Sequence, residues 1–329
     1  SRSVTIRHQQ SAIIIGSGVA GLAAATRLAL QGFDVDVYER NHFPGGKLSM
    51  FEKDGFRFDA GPSLFTQPGH LEELFAEAGE SIEDYLLYKP VNITCQYFFE
   101  NNKSITAFAN NEQLAEELHE KLGEPKENVL NYLAASKNLY DKVGTVFLNY
   151  SLHKKSTWLH KRIIAALGAV KWPYLFSNFN SYNSRQFKTS EATQIFNRFA
   201  TYNGSNPYKA PAMLSLIPHL EMNTGVYYPK GGMISITDAL YRLALKKGVN
   251  FHFNNSVQRI IHTEGIAKGI VVHEENIYAD AIISNADIYF TWKQLVIRAD
   301  KADKVVRQER SSSDLIFYWG IGEDRKSVV

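Results

Sequence analysis

The residues whose types and spacing are best suited to chemistry lie near the start of the chain, where Gly16-Ser17-Gly18-Val19-Ala20-Gly21 forms a G-x-G-x-x-G run. Glycines at that spacing permit a tight turn, close approach of backbone to a diphosphate, and close packing of a helix on a strand. The amides at the helix start then point at the phosphates from the positive end of its dipole. Glu39 follows 18 residues after Gly21, placed to accept hydrogen bonds from ribose hydroxyls. Gly45-Gly46-Lys47 comes six residues later, followed by Phe58-Asp59-Ala60-Gly61-Pro62. Alone, Pro44-Gly45-Gly46 would read as a surface turn. Following so soon after the ribose carboxylate, it implies a ligand that continues beyond the first nucleotide-binding unit. The chain has no H-E-x-x-H, G-x-S-x-G or C-x-x-C and no clustered metal ligands, so nothing points to zinc-hydrolase, serine-hydrolase or dithiol chemistry.

These residues need a scaffold, and the surrounding pattern supplies one. Ala12-Ile13-Ile14-Ile15 is a short apolar run ending in glycine, Leu22 to Leu30 reads as a helix closed by Gly32, and Val35-Asp36-Val37-Tyr38 is a second strand. The opening is thus a βαβ unit with a parallel sheet. Helical spacing recurs from His70 to Gly79, and aromatic strands from Cys95 to Ala109 flank a turn at Glu100-Asn101-Asn102-Lys103. Residues 111 to about 200 are helical in pattern, with Leu114, Leu118 and Leu122 on one stripe and Val129, Leu130 and Leu133 starting another. A helix at Asp238–Lys247 precedes short strands at 249–253, 257–261, 266–272 and 281–283. The expected architecture is an α/β domain interrupted by a helix-rich one.

The 329 residues are 44% hydrophobic, enough for about two domains. The most apolar region, Ala12 to Leu30, holds Arg27 and three glycines, so no spanning helix is expected. The lone Cys95 forms no internal disulfide, and the polar start has no signal-peptide core, which points to a reducing compartment. A net charge of +2 argues against nucleic-acid binding. The distribution is more telling: between Asp141 and Glu191 there are eight basic residues and no acidic one, leaving −6 on the remainder. Ser156–Trp172 there reads as a basic amphipathic helix with aromatic flanks, either an interfacial membrane helix or an ordinary domain helix.

Ile13 to Glu39, Gly45-Gly46-Lys47 and Asp59-Ala60-Gly61-Pro62 resemble the flavin amine oxidase and carotenoid desaturase superfamily. Tyr228-Pro229-Lys230-Gly231-Gly232-Met233 resembles its second glycine pair, and residues 279–287 its strand returning to the cofactor domain. Within it, Tyr202–Pro207 and Leu214–His219 add a resemblance to bacterial phytoene-desaturase-type enzymes, including hydroxycarotenoid 3,4-desaturases.

The resemblance implies a Rossmann-like FAD domain interrupted by an α+β substrate domain, with FAD held by Gly16, Ser17, Gly18, Ala20, Gly21, Glu39, Arg40, Gly45, Gly46, Lys47, Gly61, Pro62, Ser63, Val257 and Asn285. It implies FAD-domain segments at 11–100 and 228–290, a substrate domain at 101–227, and a late substrate-domain strand within 291–329. The last piece of the FAD domain would be missing. The implied reaction desaturates a carotenoid such as phytoene or a 1-hydroxycarotenoid, with quinone or oxygen reoxidising the flavin. The alternatives are a flavin amine oxidase and a lipid-binding escort of the same fold. No acid or base stands out. Lys47 and Arg198 suit either the flavin or tunnel region or surface ion pairs, His219 a proton acceptor or a hydrogen-bonding loop residue, and Cys95 the core. Trp158, Lys161, Arg162, Lys171 and Trp172 are the membrane-contact candidates. They would meet anionic lipids on the cytoplasmic face of the cell membrane.

Overall fold

The computed structural model describes residues 9–100, 102–144, 146, 174, 176–308, 311 and 315–321. The chain divides into two units, one formed by Ser1–Lys89, Tyr228–Glu309 and Ile316–Val329, the other by Pro90–Tyr227 and Arg310–Leu315. The membrane-contact candidates Trp158, Lys161, Arg162, Lys171 and Trp172 lie outside the described residues.

The first unit is built on β1 (Ser11–Ile15), α1 (Val19–Leu30) and β2 (Asp34–Tyr38). Beyond them come the hairpin β3 (Ser49–Lys53) and β4 (Phe56–Ala60), short β5 (Phe65–Thr66), α2 (Gly69–Glu77) and β6 (Tyr88–Pro90) at the exit to the second unit. The chain returns through β9 (Val226–Pro229), α7 (Ile234–Lys246), β10 (Asn250–His252), β11 (Val257–Thr263), β12 (Ile266–Val272), β13 (Glu275–Tyr278), β14 (Ala281–Ser284) and α8 (Ala299–Val306).

Four strands make a parallel sheet in the order β10-β2-β1-β14, with Ile14 between Val37 and Ile283. One face of it buries Ala12, Ile14, Val35 and Val37 with Ala25 of α1 and Ala244 of α7. The other buries Ile13, Ile15 and Tyr38 against Ile270 and Val272 of β12, in the antiparallel sheet β11-β12-β13. Covered on both faces, β1 needs an unbroken apolar run rather than an alternating one. α7 begins four residues ahead of the expected start at Asp238, because its first turn is anchored elsewhere: the Met233 amide donates to Asp59 Oδ2 at 2.9 Å.

The second unit holds the hairpin β7 (Ile93–Phe98) and β8 (Ser104–Phe108), then α3 (Asn111–Leu122), α4 (Lys126–Leu139), α5 (Phe179–Gln186) and α6 (Ser190–Asn197). Its core gathers Leu114, Leu118, Val129, Leu133, Phe179, Phe196 and Phe199. Ile105 and Ala107 of β8 belong to that core, and Cys95, Tyr97 and Phe99 pack on it. The hairpin therefore belongs to the helical unit, and the boundary lies at Lys89–Pro90 instead of near residue 100. The tail differs too. Leu295 packs with Ile13 and Tyr38, placing 291–309 with the first unit. Residues 315–321 form no strand, and from Ile316 they group with that unit as well: Tyr318 packs edge-on against Phe51 (4.9 Å) and Phe58 (5.4 Å).

Glu124 ties this helical unit together. Fully buried between α3 and α4, it accepts from the amides of Lys188 and Thr189, from Thr189 Oγ1 and from Asn128 Nδ2, all at 2.8–3.0 Å. Burial pushes its carboxyl up, but the donors at Lys188, Asn128 and Thr189 outweigh this and hold it below the usual glutamate range. A depressed native pKa stabilises the fold at neutral pH, and that contribution fades as pH falls below the unfolded value of about 4.3. Glu124→Gln, whose amide meets N–H donors, should cost about 2 kcal/mol at pH 7. In urea unfolding the gap from the parent should narrow as pH is lowered from 7 into the range below about 4.3; a gap that stays constant over that range would refute the assignment.

Candidate functional site

The carboxyl ends of β1, β2 and β14 converge on the first glycine run, as nucleotide sites of open parallel sheets do. Gly16 turns with φ +94°, and its amide donates to Tyr38 O at 2.8 Å. Gly21 is fixed by contact: a Cβ there would stand 2.2 Å from Gly16 O. At Gly18 a Cβ would meet Asn285 Nδ2 at 2.9 Å. Gly18 caps α1, which has no side-chain cap and no acidic residue in its first turn, so its own first turn leaves the amides of the positive dipole end open to a ligand.

Asn285, just past β14, is fastened to this loop by its amide to Ile15 O (2.8 Å) and by Nδ2 to Gly16 O (3.4 Å). The second glycine pair is bound to the first: the Gly45 amide donates to Ser17 O at 2.9 Å, and Gly18 and Gly45 form a parallel bridge. A Cβ on Gly45 would lie 2.4 Å from Leu48 O, and one on Gly61 1.9 Å from Lys47 O, so backbone segments cross closely at both points. Sequence reasoning thus assembled residues that the chain does bring together: Gly16, Ser17, Gly18, Gly21, Glu39, Gly45, Gly46 and Asn285.

Glu39 is 5% exposed. Its Oε2 accepts from the Ser17 amide and hydroxyl, both at 2.9 Å, and its Oε1 from the Asn41 amide at 2.9 Å. A carboxylate offers about four lone-pair sites, so three are engaged by the chain and one is left for a ribose hydroxyl. The carboxylate thus both organises the glycine loop and stays able to bind. The Ser17 and Asn41 contacts were not foreseen; a serine inside a glycine loop is the one sequence signal that could have suggested the first.

The remaining expected residues sit differently. Ala20, Arg40, Lys47, Pro62 and Ser63 are exposed. Val257 packs on the side of the parallel sheet that buries Ile13, Ile15 and Tyr38. Two supporting groups had no place in the expectation. Thr237 Oγ1, fully buried, donates to Leu48 O at 2.9 Å, and Asp59 receives the Met233 amide while Arg57 donates to Gly231 O at 2.7 Å. A threonine on the apolar side of α7 was the available clue to the first.

A separate polar cluster lies inside the helical unit. Arg198 donates through Nη2 to Glu221 Oε1 at 2.6 Å and through Nε to Tyr97 Oη at 2.7 Å, and Tyr202 Oη donates to Glu221 as well. Glu221 is 1% exposed, so this pair is interior and not the surface ion pair considered for Arg198. Burial pushes the phenols of Tyr97 and Tyr202 well above their ordinary value. His219 is likewise buried, in a π-helical turn spanning His219–Asn223 rather than in a loop. Cys95 is half-buried and carries a free thiol.

A parallel nucleotide-binding sheet with a glycine turn, a ribose carboxylate and a second glycine pair locked to the first defines a dinucleotide-binding protein of the extended, flavin-holding type. The model of the family described as flavin containing amine oxidoreductase matches residues 19–290. The chain belongs to that family, and its cofactor is FAD. It is 41% identical over 313 residues to the 1-hydroxycarotenoid 3,4-desaturase of Flavobacterium sp. (strain P99-3), covering 95% of this chain and 64% of that protein. It is 31% identical over 313 residues to the zeta-carotene-forming phytoene desaturase of Myxococcus xanthus, with 94% and 60% covered. The chain thus spans somewhat under two thirds of these relatives' length. Among solved structures, an oxidoreductase from Methanosarcina mazei shares the fold at TM-score 0.56 and 19% identity, with 87% of this chain and 61% of that one covered. No helix among the described residues is long and apolar enough to cross a membrane.

Proposed function

We propose that the chain is an FAD-dependent carotenoid desaturase whose substrate is a 1-hydroxycarotenoid, desaturated at the 3,4 position. The 41% identity to a 1-hydroxycarotenoid 3,4-desaturase across 95% of the chain carries this reading, and the flavin-type geometry of the glycine loops agrees with it.

When bound, FAD would supply the redox chemistry, taking a hydride from an allylic C–H bond while the neighbouring carbon gives up a proton. The chain's own residues bind and orient. The first-turn amides of α1 that follow Gly18 would take the diphosphate, and the remaining lone pair of Glu39 a ribose hydroxyl. Lys47 and Arg40 would add positive charge beside the glycine turns. Gly61, Pro62 and Ser63 would face the isoalloxazine, Val257 the adenine, and Asn285 would hold the loop in shape; these last roles follow the family resemblance. The Pro90–Tyr227 unit would bind the apolar substrate. A polyene offers almost no polar handle, so positioning supplies the rate.

Trp158, Lys161, Arg162, Lys171 and Trp172 would dock the protein on anionic lipids at the inner face of the cell membrane, where such a substrate resides. Lys161→Glu with Arg162→Glu should weaken cosedimentation with anionic vesicles, and unchanged binding would remove the docking role. For the activity, FAD-loaded protein in liposomes should lengthen the conjugated system of a 1-hydroxycarotenoid by one double bond. No gain with that substrate or with phytoene would remove the desaturase assignment.

A further inference from the structure

The second glycine pair is held from two sides. On one, the first glycine loop takes it: the Gly45 amide donates to Ser17 O at 2.9 Å, and a Cβ on Gly46 would stand 3.2 Å from Gly18 Cα. On the other stands Thr237 of α7, whose Cγ2 and Oγ1 lie 2.8 Å and 2.9 Å from the place a Cβ on Gly45 would occupy. The Thr237 hydroxyl donates to Leu48 O at 2.9 Å, and the Leu48 amide donates to Gly45 O at 3.0 Å. The 45–48 turn is thus closed by its own backbone and latched to the helix by a hydroxyl.

The helix itself is a fixed post. Its start is tied to β4, where the Met233 amide donates to Asp59 Oδ2 at 2.9 Å and Arg57 donates to Gly231 O at 2.7 Å. Two residues beyond Asp59, a Cβ on Gly61 would lie 1.9 Å from Lys47 O, beside the residue that Thr237 holds. The contacts close a circuit from α7 through Asp59, Gly61, Lys47 and Leu48 back to α7. Thr237 is fully buried on the side of the helix that also buries Leu240 and Ala244. Valine would fill that place with the same shape and no polar atom to desolvate, so the hydroxyl is accounted for by the loop it holds. Thr26 makes the contrast: equally buried, its hydroxyl donates to Leu22 O at 2.9 Å, one turn back in its own helix, and fastens no loop.

We infer that Thr237 is a positioning residue for FAD, its hydroxyl holding the 45–48 turn at the spacing from the first glycine loop that the part of the cofactor beyond its ADP half requires. The inference rests on the reading of Gly45 and Gly46 as part of the FAD site. The first loop and Glu39 serve the diphosphate and ribose that FAD shares with ADP. Without the latch the turn samples other positions, and apparent affinity falls with the fraction that remains competent. That loss falls on FAD and spares ADP.

The test uses full-length, FAD-loaded protein at a fixed excess of FAD, with ADP added as competitor and bound flavin measured by absorbance after rapid gel filtration. Thr237→Val, which keeps the shape and removes the hydroxyl, should lower the ADP concentration that displaces half of the FAD by about tenfold. Thr237→Ser, which keeps the hydroxyl, should restore most of the difference, and Thr26→Val should leave the parent value unchanged. A general loosening of the domain weakens both ligands alike and does not move this concentration. An unchanged value in Thr237→Val therefore overturns the inference, as does an equal fall in Thr26→Val. Gly45→Ala separates the inference from the reading beneath it. If that variant also leaves the value unchanged, the second glycine pair does not serve FAD and the reading fails; if Gly45→Ala lowers it while Thr237→Val does not, the pair serves the cofactor without Thr237 and the inference alone fails.

Discussion

Gly21→Ala should purify almost colourless, with FAD affinity reduced about 100-fold, or about 2.7 kcal/mol. The added Cβ would stand 2.2 Å from Gly16 O, a backbone atom that cannot rotate away, so α1 has to move off β1 by roughly an ångström. That displacement carries the diphosphate-facing amides out of place, and geometric errors of that size are costly at a preorganised site. The fold itself should lose only about 1–3 kcal/mol, as in other cases of overpacking. A control separates strain from ligand loss. Gly79, unlike Gly21, has positive φ (+68°), but nothing lies within 4 Å of its Cβ direction, so Gly79→Ala should cost about 1 kcal/mol and keep its flavin. Flavin content after gel filtration, measured by absorbance, decides the matter; a fully loaded Gly21→Ala protein would show that the glycine loop does not hold the cofactor.

Arg198→Met should be the most destabilising single change in the helical unit, lowering the unfolding free energy by about 3–5 kcal/mol. The loss is not that of a surface ion pair, which is commonly below 1 kcal/mol. Glu221 is 1% exposed, and without the guanidinium its carboxylate is left buried with, among the described residues, the Tyr202 hydroxyl alone in hydrogen-bond contact. Adding Glu221→Gln removes the stranded charge, so the double variant should recover part of the loss, and a double-mutant cycle in urea should return a coupling of about 1–3 kcal/mol. Additive effects would mean that the two side chains do not act as a pair.

Local signals carried much of the architecture. Ala12 to Ile15 read as a strand because both faces of it are buried, which leaves an unbroken apolar run, and the glycine motifs were visible because close backbone approach excludes every other residue type. What escaped depends on partners distant in sequence. Asp59 anchors the start of α7 across 174 residues, and Arg198 meets Tyr97 across 101; neither pairing leaves a periodic trace. The hairpin at Ile93–Phe108 read correctly as local structure, but its assignment to the helical unit depends on where Ile105 and Ala107 are buried, a property of packing alone. His219 beside Pro218 suggested a loop, whereas the chain stays helical through it and buries the ring.

Anaerobic addition of a 1-hydroxycarotenoid to the FAD-loaded protein in liposomes is the most direct measurement. Absorption of the oxidised flavin near about 450 nm should bleach, with one new conjugated double bond formed per flavin reduced. A flavin that stays oxidised with that substrate and with phytoene, in protein shown to bind them, would contradict the account.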